Sequence, residues 1–490
     1  MLYNEFGNTG KIVSKLGFGT NRFEPHHLQN AKGLQHCADV VRHAIECGIN
    51  YFDTGHNYDN SKSEQILGLA FKDATKPVYV SAKSSSNFDK TADDVLRRVE
   101  SSLKAMQLSV ISFYHMWGVM NREHYRFVMS KDGPYQGLVR AKEAGLIEHI
   151  CISTHANAEE IIEIINDGCF ESLMISFNVM SAVNMRPVIL AAYKKNIAVV
   201  SMNTIGGGII PVMHEFFEEL LMPDDKDTAM AALRFNASHK ELAVALSGMG
   251  TIEIVDRNVK AFSDTISINE DRVERTILSS NPVFSTFCTG CGYCAPCPAG
   301  IPVKKFLFAY NYNYRPIKGQ HEKITVESRN FPLVFEKLGM EILRTNQNSV
   351  VNPCTKCGSC EERCTQRLPI INRIREIYDN LEISISIMLD SLKQSANRPI
   401  YIWGTGDGGI RALRLLRDLG YDINGFIDSD PKKLGMTVES VEIFLPDVLE
   451  DDCEAKPFVV IGVIRAVFRK EIETKLKALG FESKLDYYTY

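Results

Sequence analysis

Cysteine is the residue type whose spacing in this chain points most directly to chemistry. Four cysteines fall within ten residues: Cys288, Cys291, Cys294 and Cys297. A second run follows at Cys354, Cys357, Cys360 and Cys364. Short loops with cysteine at every third position turn several thiolates toward one point, and soft thiolates select iron–sulfur clusters or zinc. Zinc sites pair two separated Cys-x-x-Cys units across about 15–20 residues, whereas each run here has four cysteines of its own. These runs are read as ligands of two [4Fe–4S] clusters, with zinc or disulfides as the alternatives.

Cys297 is followed by Pro298, and in this the first run resembles bacterial ferredoxins. In two-cluster ferredoxins the fourth cysteine of each run crosses to the other cluster. The resemblance therefore implies Cys288, Cys291, Cys294 and Cys364 on one cluster, and Cys354, Cys357, Cys360 and Cys297 on the other. This sequence departs from the pattern twice. Two residues, not three, precede Cys297, and Thr365 stands where a proline often follows the second run.

Chemistry at such a centre needs a scaffold, and the first 280 residues predict one. Short apolar runs at Leu16–Thr20, Asn50–Gly55, Val78–Ser84, Ile111–Trp117, His149–Thr154, Leu173–Asn178, Ala198–Asn203 and Val244–Met249 read as strands. Amphipathic stretches between and after them, such as Cys37–Cys47, Ser63–Lys72, Ala92–Met106, Ala158–Asn166, Pro187–Lys195 and Ile254–Ser263, read as helices. Eight strands alternating with helices over about 250 residues predict an α/β fold, a (β/α)8 TIM barrel. Gly7-Asn8-Thr9-Gly10 reads as the turn of a hairpin closing the barrel bottom. Active sites of such barrels sit where strands end at the C-terminal rim. Those ends carry Asp53, Lys83, His115 with Trp117, and Ser153 with His155, and Tyr58 lies five residues past Asp53. An Asp that holds a Lys beside a Tyr makes a tuned proton donor, the ammonium lowering the phenol pKa.

Gly48-Ile-Asn-Tyr-Phe-Asp53-Thr, Tyr58, Ser63-Glu64, Lys83 and Gly145-Leu-Ile-Glu-His-Ile-Cys-Ile-Ser153-Thr-His155 together resemble the aldo-keto reductases. The resemblance covers residues 1 to about 275. It implies a tetrad of Asp, Tyr, Lys and His around a substrate carbonyl, with hydride exchanged with NAD(P)(H). Asp53, Tyr58 and Lys83 match three members. Trp117 stands where the His is expected, and His115 lies one rung earlier on the same strand face. His56 and His155 are the other nearby imidazoles. Two extra residues lengthen the Tyr58 loop before Ser63-Glu64. For the cofactor, the resemblance implies Ser153 and Asn178 at the nicotinamide end. Met174 and Phe177 replace the usual Gln and Tyr there. Gly207, Gly248 and Asn258 fit the phosphate and adenine ends. No Lys or Arg lies between Met249 and Asp256, so no clamp for a 2′-phosphate is visible.

Beyond the barrel, each cysteine run leads into a helical stretch, Val303–Tyr310 and Asn372–Asn380, which resembles α-helical ferredoxins. Phe331–Thr345 reads as a packing helix between them. Tyr310-Asn-Tyr-Asn-Tyr314 is aromatic, and reads as surface turn or as cover for a cluster. Arg398-Pro399 opens a further unit. A strand at Ile400–Trp403 is followed by Gly404, Gly406 and Gly409, a helix at Ile410–Leu419, and Asp428 after Ile423–Ile427. This is the dinucleotide fingerprint: glycines admit a diphosphate, a helix N-terminus stabilises it, and an acid accepts from a ribose diol. With a later strand at Phe458–Val463, the unit reads as one and a half βαβ units. It resembles the nucleotide-sugar-binding half-Rossmann domains of surface-glycan enzymes. The domains expected are thus residues 1–280, 281–395 and 396–490: barrel, two-cluster ferredoxin-like module and small Rossmann-like domain.

The bulk composition narrows the class. The 490 residues are 45% hydrophobic and 23% charged with a net charge of −5, an ordinary globular balance that gives no reason to expect nucleic acid. No apolar run reaches the roughly 18 residues of a membrane span, and Met1–Gly7 lacks the pattern of a signal peptide. Cys37, Cys47, Cys151, Cys169 and Cys453 are scattered and read as free thiols, so a reducing, cytoplasmic setting is expected. The function expected is oxidation or reduction of a hydroxyl or carbonyl on a sugar or nucleotide-linked sugar, with NAD(P)(H) at the barrel and a redox partner for the clusters. Nicotinamide moves electrons in pairs and clusters singly, and no flavin motif is visible to join them. The alternative is an electron-transfer or nucleotide-sensing subunit whose barrel is a scaffold.

Overall fold

Two short strands, β1 (Tyr3–Glu5) and β2 (Ile12–Ser14), pair antiparallel as the expected hairpin. The hairpin carries Phe6, which is fully buried, with its ring centroid 4.1 Å from that of Phe113 and 5.6 Å from that of Tyr51. This aromatic plug fills the barrel floor. The structure is a computed structural model that describes residues 1–72, 74–262, 266–313, 352–394, 396–450, 455–463 and 466–489. It falls into two compact units, Met1–Cys291 and Gly292–Tyr490.

In the first unit all eight expected barrel strands form. They are β3 (Leu16–Gly19), β4 (Tyr51–Asp53), β5 (Tyr79–Ser85), β6 (Ile111–Val119), β7 (Ile147–Thr154), β8 (Ser172–Ser176), β9 (Ala198–Met202) and β10 (Val244–Gly248). They pair in parallel in sequence order, and β10 closes onto β3. Side chains alternate across each strand with a period of two. Phe113, Tyr51, Cys151, Met174, Val200 and Val244 belong to one apolar cluster inside the barrel. Because Phe113 faces that interior, His115 and Trp117 face it too, one and two layers nearer the rim.

Helices pack outside the barrel. Ala92–Met106 forms as expected, started by a capping box between Thr91 and Asp94. The helix expected from Cys37 begins earlier, at Ala31, where Asn30 caps it by accepting from the Gly33 N–H. Helix Ala182–Lys194 takes in Pro187 rather than starting at it. Helix Thr228–Ser238 gave no sequence signal because Thr228 to Ala237 are all buried, so there is no polar face to create a period.

In the second unit, helices Val303–Asn313 and Ile370–Lys393 follow the two cysteine runs. Tyr310 donates to Glu376 at 3.0 Å, and the Arg373 guanidinium lies 4.6 Å from the centre of its ring. The packing helix expected at Phe331–Thr345 lies outside the described residues. The final segment is larger than the expected one and a half βαβ units. Strands β11 (Ile400–Trp403), β12 (Gly425–Ile427), β13 (Thr437–Val438), β14 (Val441–Phe444), β15 (Phe458–Ile461) and β16 (Tyr487–Thr489) form one sheet in the order β13-β14-β12-β11-β15-β16. Only β13 is antiparallel. The extra strands are two to four residues long, too short to show a period. Both faces are covered: Ile402, Leu413, Leu416 and Val460 pack on one, Trp403, Ile461, Leu476 and Phe481 on the other. No helix of the described residues is long and apolar enough to cross a membrane.

Candidate active site

The barrel brings Asp53, Lys83 and Tyr58 together at its C-terminal rim. Asp53 ends β4 and pairs in register with Ser81 on β5. Ser81 donates to its Oδ1 at 2.8 Å, and Lys83, two residues on and therefore on the same face, donates to the same oxygen at 2.5 Å. The Lys83 ammonium also donates to the Thr54 carbonyl at 2.7 Å. The pair is almost completely enclosed, with 1% of the Lys83 side chain and 5% of the Asp53 side chain exposed. Burial pushes Asp53 up and Lys83 down, and each charge offsets the shift of the other.

Tyr58 folds back over Gly55, where a Cβ would lie 3.2 Å from its ring. The Lys83 ammonium sits 4.8 Å from the ring centre. Its donors are turned to Asp53 and Thr54, so the expected lowering of the phenol pKa is not what this geometry gives. Burial raises the Tyr58 pKa well above its ordinary value, and the Asp53 charge raises it further. Arg22 is the cation that opposes them. Tyr58 therefore keeps its proton at neutral pH and stands ready as an acid.

The Tyr58 loop is held from both ends. Ser63 Oγ hydrogen-bonds Thr20 Oγ1 and lies 2.6 Å from Thr54 Oγ1, and the Glu64 carboxylate accepts from Ser102 at 2.7 Å. These buried bonds account for the Ser63-Glu64 pair. The lengthened part of the loop is a left-handed turn of three residues that are not glycine: Asp59, Asn60 and Ser61, at φ 47°, 55° and 64°. Such a run costs on the order of 1 kcal/mol per residue. It is braced by Phe23 N–H donating to Asp59 Oδ2 at 3.1 Å and Asp59 N–H donating to Asn21 Oδ1 at 3.2 Å.

Trp117 stands between two rings, edge-on to Tyr58 at 5.8 Å and to His56 at 6.2 Å. An indole donates one hydrogen bond and cannot relay a proton as imidazole does. His115 aligns with Lys83 across β5 and β6 and is fully buried. Burial and the Lys83 charge hold it down at about 3, so it is neutral. Burial holds His155 at about 4. His56 is half-buried and is also pulled down, by burial and then by Arg98.

The residues expected at the cofactor divide into two groups. The Ser153 hydroxyl is buried and has no hydrogen-bond partner among the described residues. A buried hydroxyl left unpaired is costly, and a ligand amide at that point would satisfy it. The other residues are engaged within the fold. Asn178 accepts from Met180 N–H at 2.9 Å and donates to the Asn203 carbonyl at 2.9 Å. Asn258 donates to Ser247 Oγ at 3.0 Å. A Cβ on Gly207 would fall 2.0 Å from the Thr289 carbonyl oxygen, so this glycine admits the backbone beside Cys288. A Cβ on Gly248 would meet the Arg22 stem at 2.3 Å.

None of the eight run cysteines is in a disulfide. Backbone N–H groups point at two of the sulfurs, Gly290 to Cys288 and Leu368 to Cys364, each at 3.4 Å. Positive φ values at Lys356 (57°) and Gly358 (82°) curl the second run. Within the second unit, Arg363 donates to the Ala295 and Pro296 carbonyls at 3.2 and 3.3 Å and so ties one run to the other. Burial, then the charges of Cys354 and Cys297, raise Tyr378 to about 12, so thiols of both runs lie within electrostatic reach of one phenol.

The motifs assign no role to Ser81, Thr54 or Ser63, and Arg22 and Thr20 lie outside them. Only the period of two linking Ser81 to Lys83 offers a signal in the sequence.

The aldo/keto reductase family matches residues 15–275. L-galactose dehydrogenase of Arabidopsis thaliana is 24% identical over 306 residues, covering 54% of this chain and 89% of that protein. Aldo-keto reductase family 1 member C2 of Homo sapiens is 26% identical over 166 residues, 30% of this chain and 48% of its own length. Among solved structures, an aldo-keto reductase from Klebsiella pneumoniae in complex with NADPH is 16% identical with a TM-score of 0.47, covering 58% of this chain and 97% of that one.

Proposed function

This chain belongs to the aldo/keto reductase family and is an oxidoreductase, and from that premise we propose that it interconverts a hydroxyl and a carbonyl on a sugar or nucleotide-linked sugar with NAD(P)(H). The observation that carries this reading is the enclosed Asp53–Lys83 pair, 2.5 Å apart, with the Tyr58 ring over the ammonium. Tyr58 delivers its proton to a carbonyl oxygen in reduction and receives the hydroxyl proton in oxidation. Lys83 and Asp53 fix the charge beneath it. Trp117 shapes the wall that the family gives to a His, so the substrate oxygen meets an indole there. Ser153 has the spare hydroxyl that a nicotinamide amide would need. When bound, the nicotinamide supplies or accepts hydride. The likeness to L-galactose dehydrogenase supports a sugar as substrate.

The eight thiols would hold two [4Fe–4S] clusters, which carry single electrons for a redox partner. The donor set fits: eight thiols outside disulfides, N–H groups aimed at sulfur, and Arg363 linking the runs.

Protein prepared without oxygen is expected to contain about eight iron and eight sulfide per chain, and to bind NADH or NADPH. Cys297→Ala is expected to lose the cluster otherwise held by Cys354, Cys357 and Cys360. Stoichiometric zinc without iron would end the cluster reading. Unchanged nicotinamide binding and turnover in a Ser153→Ala, Tyr58→Phe double variant would end the barrel reading, and failure to bind either nucleotide would favour a scaffold barrel.

A further inference from the structure

In the final sheet, β11 lies at the centre, with β12 on one side and β15 on the other. Connections from such a central strand leave in opposite directions and open a crevice at the carboxyl ends. A cavity of about 600 Å³ lies there. Its floor is the glycine loop: Gly404 has φ 115°, and Gly409 packs so closely that a Cβ would fall 1.8 Å from the Gly404 carbonyl oxygen. A Cβ on Gly406 would meet nothing within 4 Å. Gly406 also caps the helix Asp407–Asp418 without any side-chain hydrogen bond, so the helix presents backbone N–H groups to the cavity.

The role expected for Asp428 changes. Its Oδ2 accepts from Thr405 at 2.5 Å and Lys433 at 2.7 Å, and its Oδ1 from the Asp430 N–H at 3.0 Å. Burial alone would raise its pKa, but these donors outweigh that and hold it below the usual carboxylate value. A carboxylate so occupied has little capacity left for a ribose diol. It anchors Lys433 instead, whose ammonium keeps a third donor beyond Asp428 and Thr405 (3.0 Å). The opposite wall is the helix Ala466–Ala478, which presents Phe468, Glu471 and Lys475. Phe468 is 48% exposed, an apolar ring left uncovered at a cavity. Glu471 and Lys475 are one helical turn apart, and among the described residues neither side chain has a hydrogen-bond or ion-pair partner.

We infer that this cavity binds the diphosphate of a nucleotide. The phosphates rest on the glycine loop and the helix N-terminus between Lys433 and Lys475. The base lies against Phe468, and Glu471 accepts from the ribose. The volume is far beyond what inorganic phosphate fills and lies within the range of small-molecule sites. The inference rests on the tail alone and stands independently of the barrel's substrate.

Calorimetry on the whole protein with UDP, ADP and inorganic pyrophosphate tests it, using the wild type, Gly406→Val, Lys475→Gln and Phe468→Ala. A Cβ at 406 meets no protein atom within 4 Å, and the extended backbone there (φ −80°, ψ −172°) suits a β-branched residue, so valine is expected to project into the cavity that Gly406 lines; a melting curve of the variant checks that it stays folded. At least one nucleoside diphosphate is expected to bind the wild type more tightly than pyrophosphate. Binding is expected to vanish in Gly406→Val and to weaken by about tenfold in Lys475→Gln. Phe468→Ala is expected to remove the advantage over pyrophosphate. No nucleotide binding by the wild type, or equal binding by the wild type and Gly406→Val, overturns the inference; the second outcome would place the nucleotide in the barrel. Pyrophosphate binding as tightly as both nucleotides overturns the role given to the base.

Discussion

Tyr58→Phe is expected to lower turnover by about 10²–10⁴-fold, the usual worth of a positioned proton donor. The change removes one oxygen and leaves the ring that packs over Gly55, under Trp117 and against the Lys83 ammonium. Phenylalanine keeps the cation–π contact, so thermal unfolding is expected to stay where it was. Nicotinamide binding should also persist. The measurement is absorbance of the reduced nicotinamide in single turnovers across a panel of hexoses and their oxidised forms, beside a melting curve of the same samples. A Tyr58→Phe enzyme with wild-type turnover would remove Tyr58 from the chemistry. His115, enclosed and kept neutral by burial and the Lys83 charge, which hold its pKa at about 3, would then need another route to the substrate.

Lys83→Ala is expected to be the most damaging change to the fold. It leaves Asp53 at the barrel rim, 5% exposed and facing no cation. Removing one member of a buried pair costs about 3–5 kcal/mol, a large part of the total stability of a domain. The Asp53→Asn, Lys83→Met double variant is expected to recover most of that loss while staying inactive. It removes both charges together, and replacing a whole buried pair by neutral groups is often neutral or stabilising. Denaturant unfolding of the wild type and the two variants decides the matter. A double variant no more stable than Lys83→Ala would show that the pair's worth lies in packing and not in charge.

The two results together separate what the rim does into chemistry and architecture. In the proposed reaction Tyr58 acts on the substrate, and it is expected to add little to stability. Asp53 and Lys83 are expected to carry both burdens, because an ion pair inside a barrel is costly unless every donor is satisfied. Ser81 and Thr54 supply the remaining bonds. The strained turn at Asp59, Asn60 and Ser61 follows the same pattern, with left-handed residues kept at a functional edge and braced from the β3 loop.

The sequence by itself determined the barrel. Eight apolar runs with helices between them permit few other closures, and each strand formed within a few residues of its expected place. It determined as well that Ser81 shares a face with Lys83 and His115 with Trp117, because a period of two puts alternate side chains of a strand on one face. The cysteine runs and the glycine loop stand out in the sequence because each is a spacing written along one short segment, and the chemistry proposed for them rests on that spacing. What only the tertiary structure decided are the properties set by neighbours distant in sequence. Burial sends the Tyr58 pKa up where the motif predicts that an adjacent ammonium brings it down, since Asp53 and Thr54 hold that ammonium's donors. Asp428 became the anchor of Lys433, an ion pair made across a turn that no motif encodes. Helix Thr228–Ser238 and strands β13, β14 and β16 escaped notice because they are wholly buried or too short to show a period. Arg22 came to lie over Gly248, at the far end of the barrel sequence, because the barrel closes β10 onto β3. Spacing along the chain fixes which groups share a face; desolvation and charge at that face depend on everything the fold packs against it.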